Sequence, residues 1–146
     1  MDEKLVRLWG FGVTRGMQEE DLQRLSELLE ERKLDAGAVL CTEDAEGPGL
    51  LLVTAGRVSV KKRGEDGKQR ELLSLAAPTV IGELEFLDSM PVSASVIATT
   101  PLTVLSLSAA AYEELPDSHP RIAARLQRNI ARVLARRLSA TNAELA

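Results

Sequence analysis

Apolar residues recur at helical spacing over residues 18–32, where Leu22, Leu25, Leu28 and Leu29 fall on one face. Glu19, Glu20 and Asp21 lie in the first turn, where carboxylates interact favourably with the helix dipole. The pattern predicts an amphipathic helix over that span. From residue 34 to 107 the period changes. Short β-prone pieces occur near 38–41, 50–54, 57–63, 69–75, 79–81, 94–99 and 102–107. Turn signals separate them: Asp35-Ala36-Gly37, Gly47-Pro48-Gly49, Ala55-Gly56 and Gly64-Glu65-Asp66-Gly67. Val58, Ser59 and Val60 alternate as in a half-buried strand. This spacing predicts an antiparallel sandwich or barrel, and a strand region of about 70 residues favours a compact jelly roll.

The flanks are different. Residues 1–16 read as an irregular leader with three glycines, able to pack through Leu5, Leu8, Trp9 and Phe11. Ser108 predicts an N-cap for a short helix, 109–115, stopped by Pro116. Asp117 or Ser118 is placed to cap a long final helix with Pro120 in its first turn. No glycine follows Gly82, so this helix is expected to be unbroken. Ile122, Leu126, Ile130, Val133, Leu134 and Leu138 give it one apolar stripe. No internal repeat or low-complexity segment is present.

Composition narrows the chemistry. Of 146 residues, 45% are apolar, but only Trp9, Phe11, Phe86 and Tyr112 are aromatic, so the core is aliphatic and a base-stacking platform is not expected. One cysteine, Cys41, excludes an intrachain disulfide, fits a reducing cytosol and reads as a small buried strand residue. One histidine, His119, argues against a Cys/His metal site and against a cupin enzyme, which needs a histidine cluster. No nucleophile–base–orienter set is legible, so neither catalysis nor a metal is expected. The acidic start Met1-Asp2-Glu3-Lys4 is unlike a signal peptide. Ser89–Tyr112 holds 24 residues without a charge, long enough to span a bilayer. Pro91, Pro101 and eight Ser/Thr residues read instead as short strands, so no membrane partner is expected.

Charge is uneven. Residues 1–118 carry 12 basic and 21 acidic residues, whereas 119–146 carry six arginines and one glutamate. Lys61, Lys62, Arg63, Lys68 and Arg70 flank one turn, as in a solvent-facing hairpin that discourages edge pairing. Arg121, Arg125, Arg128, Arg132 and Arg136 step by three or four residues along one face, with Arg137 beside it. Two readings stand. The stripe is a solvated helix face, or it binds an anion: nucleic acid, an acidic protein, or the nucleotide of a partner subunit.

The segment Ile81-Gly82-Glu83-Leu84-Glu85-Phe86-Leu87-Asp88-Ser89-Met90-Pro91-Val92-Ser93-Ala94-Ser95-Val96 resembles the phosphate-binding cassette of the cyclic-nucleotide-binding domain family. The resemblance extends over roughly residues 18–140. Ala36-Gly37-Ala38-Val39-Leu40 resembles the family's strand entry, and Thr54-Ala55-Gly56-Arg57-Val58-Ser59-Val60 its glycine turn and following strand. It implies an α+β fold, an antiparallel β-roll of jelly-roll type. About eight short strands are joined by an N-terminal helix, a short helix and a long C-terminal helix. The corresponding parts are a leader, 1–17, a sensor domain, 18–116, and a C-terminal helix, 117–146.

The family pattern is Gly-Glu-x-x-x-Leu, a few residues, then Pro-Arg-Ser/Ala-Ala. The resemblance assigns Gly82 to close backbone approach to the ligand and Glu83 to the ribose 2′-hydroxyl. Gly82, Glu83, Leu84, Val92, Ser93 and Ala94 are the candidate ligand-binding set. The family's arginine, which forms charge-assisted bonds to the cyclic phosphate, is replaced by Val92. Losing a hydrogen bond to a charged group of about 1.5–3 kcal/mol weakens binding roughly 10- to 150-fold. No Lys or Arg lies between Glu71 and Pro120. A replacement cation must therefore come from elsewhere, such as Arg57 or the C-terminal helix. Glu43-Asp44 also stands where the family often has Gly-Asp.

The resulting expectation is a non-catalytic sensor-like module with a degenerate cassette, acting through contact with a protein partner. Through the helix residues Ile122, Leu126, Ile130, Val133 and Leu134 it is expected to pair with a second copy. The alternative is a receptor for cyclic AMP, cyclic GMP or another nucleotide, the phosphate held by an outside cation. Nucleic acid is the weakest partner class. The family's transcription regulators place a helix-turn-helix after the C-helix, and this chain ends eight residues past Leu138.

Overall fold

A computed structural model describes residues 3–8, 10–82 and 91–145, with side chains for all but Glu3, Arg137 and 141–145. Trp9, Glu83, Leu84 and the rest of 83–90 lie outside the described residues. The chain forms two compact units, residues 28–112 and residues 1–27 with 113–146.

The first unit holds eight strands: β1 (Glu30–Leu34), β2 (Val39–Cys41), β3 (Leu50–Ala55), β4 (Arg57–Arg63), β5 (Gln69–Ala76), β6 (Thr79–Ile81), β7 (Ser95–Ala98) and β8 (Leu102–Leu107). They form two antiparallel four-stranded sheets, β1-β8-β3-β6 and β2-β7-β4-β5. Leu51, Val53, Ile81, Leu102 and Val104 from the first sheet meet Val58, Val96 and Ala98 from the second in an aliphatic core. Cys41, at the end of β2, packs against this core and is half-buried rather than buried. Gly56, in the turn between β3 and β4, has φ +102°, and a Cβ there would clash with the Pro101 carbonyl. Only glycine fits that hairpin.

Two elements differ from the sequence reading. The expected helix over 18–32 stops at Leu28 as α2 (Glu19–Leu28), and Glu30–Leu34 becomes β1. Helix propensity in Glu30-Glu31-Arg32-Lys33 yields to pairing along β8, from Glu30 opposite Ser106 to Leu34 opposite Leu102. The leader is also ordered. It forms α1 (Glu3–Leu8) and a 3-10 turn (Gly12–Thr14), because Leu5, Leu8, Phe11 and Val13 are buried. The Thr14 hydroxyl closes that segment on the carbonyls of Leu8 at 2.5 Å and Phe11 at 3.0 Å.

The two last helices are α3 (Ala109–Ser118) and α4 (Pro120–Leu145). Ser108 caps α3 as expected, its hydroxyl accepting the Ala111 N–H at 3.1 Å. Pro116 does not stop the helix. It sits in the last turn, where its missing N–H removes only one bond. Asp117 and Ser118 therefore lie inside α3 rather than capping α4, which begins on Pro120.

In the second unit, Asn129 ties α4 to the 3-10 turn. Its buried Nδ2 donates to the carbonyls of Val13 at 2.8 Å and Arg15 at 2.9 Å. Ile122, Leu126 and Ile130 are at most 2% exposed within the single chain. These three side chains are thus buried within the single chain, whereas the expectation places them at a pairing surface with a second copy. Val133 and Leu134 remain half-buried and Leu138 is 63% exposed. Among the described residues, no helix is long and apolar enough to cross a membrane.

Candidate ligand site and the surfaces around it

β6 delivers the chain to Gly82, whose φ is +86°. A Cβ there would collide with the Gly49 carbonyl oxygen. Contact with the protein's own backbone thus demands a glycine at this position. Glu83 and Leu84, the expected ribose anchor and its neighbour, lie outside the described residues.

The described part of the cassette resumes at Pro91. Val92 is 3% exposed. Its N–H donates to the Ala45 carbonyl at 2.9 Å, and its carbonyl accepts the Asp44 N–H at 2.8 Å. The segment that departs from the family's Gly-Asp is therefore what holds Val92. Asp44 is in the left-handed region at φ 69°, which aspartate tolerates. Both backbone groups of Val92 are satisfied and its side chain is buried, so this position offers a phosphate no donor.

Ser93 is exposed and Ala94 is half-buried. The Ser93 carbonyl accepts a hydrogen bond from Lys62 Nζ at 2.9 Å. Arg57, the expected substitute cation, lies elsewhere. Its guanidinium donates to the Ser74 hydroxyl at 3.0 Å, and its backbone meets Thr99 and Thr100. Five residues of strand, about 17 Å, separate Arg57 from Lys62. A cation that does reach the cassette is Lys62, which the sequence reading places in a solvent-facing hairpin. Spacing could not reveal it, because the contact depends on the β4–β7 register that sets Lys61 opposite Ser95.

Beside it, the Ser95 hydroxyl accepts the Glu43 N–H at 2.9 Å, and Glu43 Oε1 accepts the Arg63 N–H at 2.8 Å. Thr42, Glu43, Asp44, Arg63, Gln69 and Ser95 line a cavity of about 100 Å³. Nucleotide-sized ligands fill pockets of about 300–1,000 Å³, so this cavity suits only water or a small ion. Among the described residues, no group of three or more His, Cys, Asp or Glu side chains could hold a metal.

The basic hairpin is partly self-neutralised. Arg70 pairs with Asp66 at 2.5 Å. This guanidinium, helped by the Lys68 N–H, holds the Asp66 carboxyl below its ordinary value of 3.8. On α4, Arg121 pairs with Asp21 at 2.7 Å, and that ion pair raises its own affinity for a proton. The rest of the stripe is different. Arg132 is pushed below the ordinary arginine value, first by the charge of Arg128, then by desolvation, then by Arg15, Arg136 and Arg125.

Two antiparallel sheets enclosing an aliphatic core, an N-terminal helix and a long final helix define a β-roll of the regulatory-domain type. The cyclic nucleotide-binding domain profile matches residues 31–119, and the chain belongs to that family. It is 29% identical over its whole length to a CRP-like cAMP-activated global transcriptional regulator of Mycobacterium tuberculosis, and spans 62% of that protein. The solved cyclic nucleotide-binding domain of Methylobacillus flagellatus superposes with a TM-score of 0.86 at 23% identity, covering 96% of this chain and 81% of that one. The regulatory subunit of a cAMP-independent protein kinase A of Trypanosoma brucei shares the fold, with a TM-score of 0.75 at 20% identity, over 99% of this chain and 51% of that one.

Proposed function

We propose that this domain is a non-catalytic regulatory module whose cassette has lost its hold on a cyclic phosphate and which acts through protein contact. One observation carries the reading. The residue at the arginine position, Val92, is buried and bonded through both backbone groups to Asp44 and Ala45. The family fold does not by itself entail cyclic AMP dependence, since the trypanosomal subunit of this fold is described as cAMP-independent. The test is calorimetric titration with cyclic AMP and cyclic GMP. Lys62 favours a second reading, a receptor in which the ammonium at Ser93 supplies the cation. Lys62→Gln separates the two: in a receptor it weakens binding, and in the degenerate module it changes nothing.

The proposed mode of contact includes self-association through α4. The seam is the exposed face rather than the buried stripe. Ala124, Ala131 and Leu138 are exposed at seven-residue intervals, with Ala135 exposed and Leu134 half-buried beside them. A repeat of seven keeps one seam facing a partner helix, and alanines permit close approach. Sedimentation equilibrium of the wild type is expected to give twice the monomer mass. Leu138→Glu is expected to give a monomer. A wild type that sediments as a monomer at high micromolar concentration would remove the seam.

A further inference from the structure

Five arginines converge in the unit of residues 1–27 and 113–146. Four come from α4: Arg125, Arg128, Arg132 and Arg136. The fifth, Arg15, arrives from the other end of the chain. The Asn129 amide fixes its carbonyl at 2.9 Å. Gly16 turns the chain at φ +78°, and Arg125 Nη1 lies 3.4 Å from where a Cβ on Gly16 would stand. A buried side chain thus anchors the backbone at Arg15 beside α4. Among the described residues no carboxylate pairs with any of the five. The contrast with Arg121, which has Asp21, shows that this helix can neutralise an arginine where a partner is supplied. Mutual repulsion is already felt at Arg132.

We propose that Arg15, Arg125, Arg128, Arg132 and Arg136 form a docking surface for an acidic polypeptide segment of a partner protein. The proposal rests on the reading that the module acts through protein contact, and it names the chemistry of that partner. From Arg125 to Arg136 the helix rises about 16 Å, with steps of about 4.5 to 6 Å between arginines. An extended acidic strand presents carboxylates on one side about every 6.6 Å, so roughly five residues span the stripe. All five cations are arginines, whose planar fork matches a carboxylate in a bidentate way that a lysine does not. Nucleic acid fits less well. Phosphates extending beyond a 16 Å stripe would meet a chain of net charge -4.

The experiment is fluorescence anisotropy of a labelled deca-glutamate peptide with the full chain. Binding is expected at about 50 mM salt and is expected to weaken steeply by about 500 mM. Arg128→Gln with Arg132→Gln is expected to weaken it roughly two- to thirtyfold, the effect of two exposed charge pairs. Lys61→Gln with Lys68→Gln removes the same charge from the hairpin and is expected to change it less than twofold. The arginine variant is also expected to melt no lower than wild type at low salt, because repulsion is relieved. Equal loss in both double variants would reduce the effect to overall charge and overturn the site. Tighter binding of a labelled DNA duplex of about 20 base pairs would overturn the acidic-peptide assignment. Absence of peptide binding overturns the surface and leaves the degenerate-cassette reading intact. Cyclic nucleotide binding by the wild type would do the reverse.

Discussion

Ile130→Ala is expected to lower the free energy of unfolding by about 2–5 kcal/mol, the cost of truncating a fully buried aliphatic side chain. Ile130 is 0% exposed, adjacent to the Asn129 clamp and one turn beyond Leu126, itself 1% exposed. A domain of this size is stable by about 5–15 kcal/mol, so the loss is a large share of the total. Urea unfolding should show a lower midpoint at an unchanged slope. Leu138→Ala, on the 63% exposed position of the same helix, is expected to change the stability of the single chain, measured at a dilution where it is monomeric, by no more than about 0.5 kcal/mol. A loss below about 1 kcal/mol at Ile130 would mean that α4 does not belong to the core of the single chain. The proposed seam would then have to be redrawn on Ile122, Leu126 and Ile130.

Val92→Arg is expected to act in two opposite directions. Placing a guanidinium where a 3% exposed valine sits overpacks the site, a cost of about 1–3 kcal/mol in the free protein. The same change supplies the charge-assisted bond that the family's cassette has and this one lacks. That bond is expected to strengthen cyclic AMP binding roughly 10- to 150-fold. Linkage makes the pair of effects readable in one instrument. The variant should melt below wild type without ligand, and ligand at about 100 times its Kd should restore about 2.7 kcal/mol. Wild type, with a Kd roughly 10- to 150-fold weaker, should gain only about 0.3–1.4 kcal/mol at the same ligand concentration. A variant that melts lower and does not respond to ligand would show that more than the arginine has been lost from the pocket.

Much of the strand architecture was legible because alternation and turn residues agree locally. β4 begins after Gly56 and ends at the 64–67 turn, and β8 begins after Pro101, as those turn residues place them. β1 was illegible because Glu30-Glu31-Arg32-Lys33 carries no apolar alternation. Only the β8 edge makes it a strand. The ordered leader was illegible for a related reason: three glycines suggest irregularity, while burial of Leu5, Leu8 and Val13 decides the outcome. At the site, the absent arginine could be read directly at Val92. Lys62 could not, since 31 residues of chain separate it from Ser93 and only strand register brings them together. The arginine stripe was visible from spacing along α4, but its fifth member, Arg15, depends on a hydrogen bond from Asn129 across 114 residues.

The most direct test of the central claim is calorimetric titration of the wild-type chain with cyclic AMP and, separately, cyclic GMP. A degenerate cassette predicts no saturable heat, with any Kd weaker than about 1 mM. A one-site isotherm with a Kd of about 10 μM or tighter would contradict it, and loss of that heat in Lys62→Gln would assign the phosphate to the lysine at Ser93.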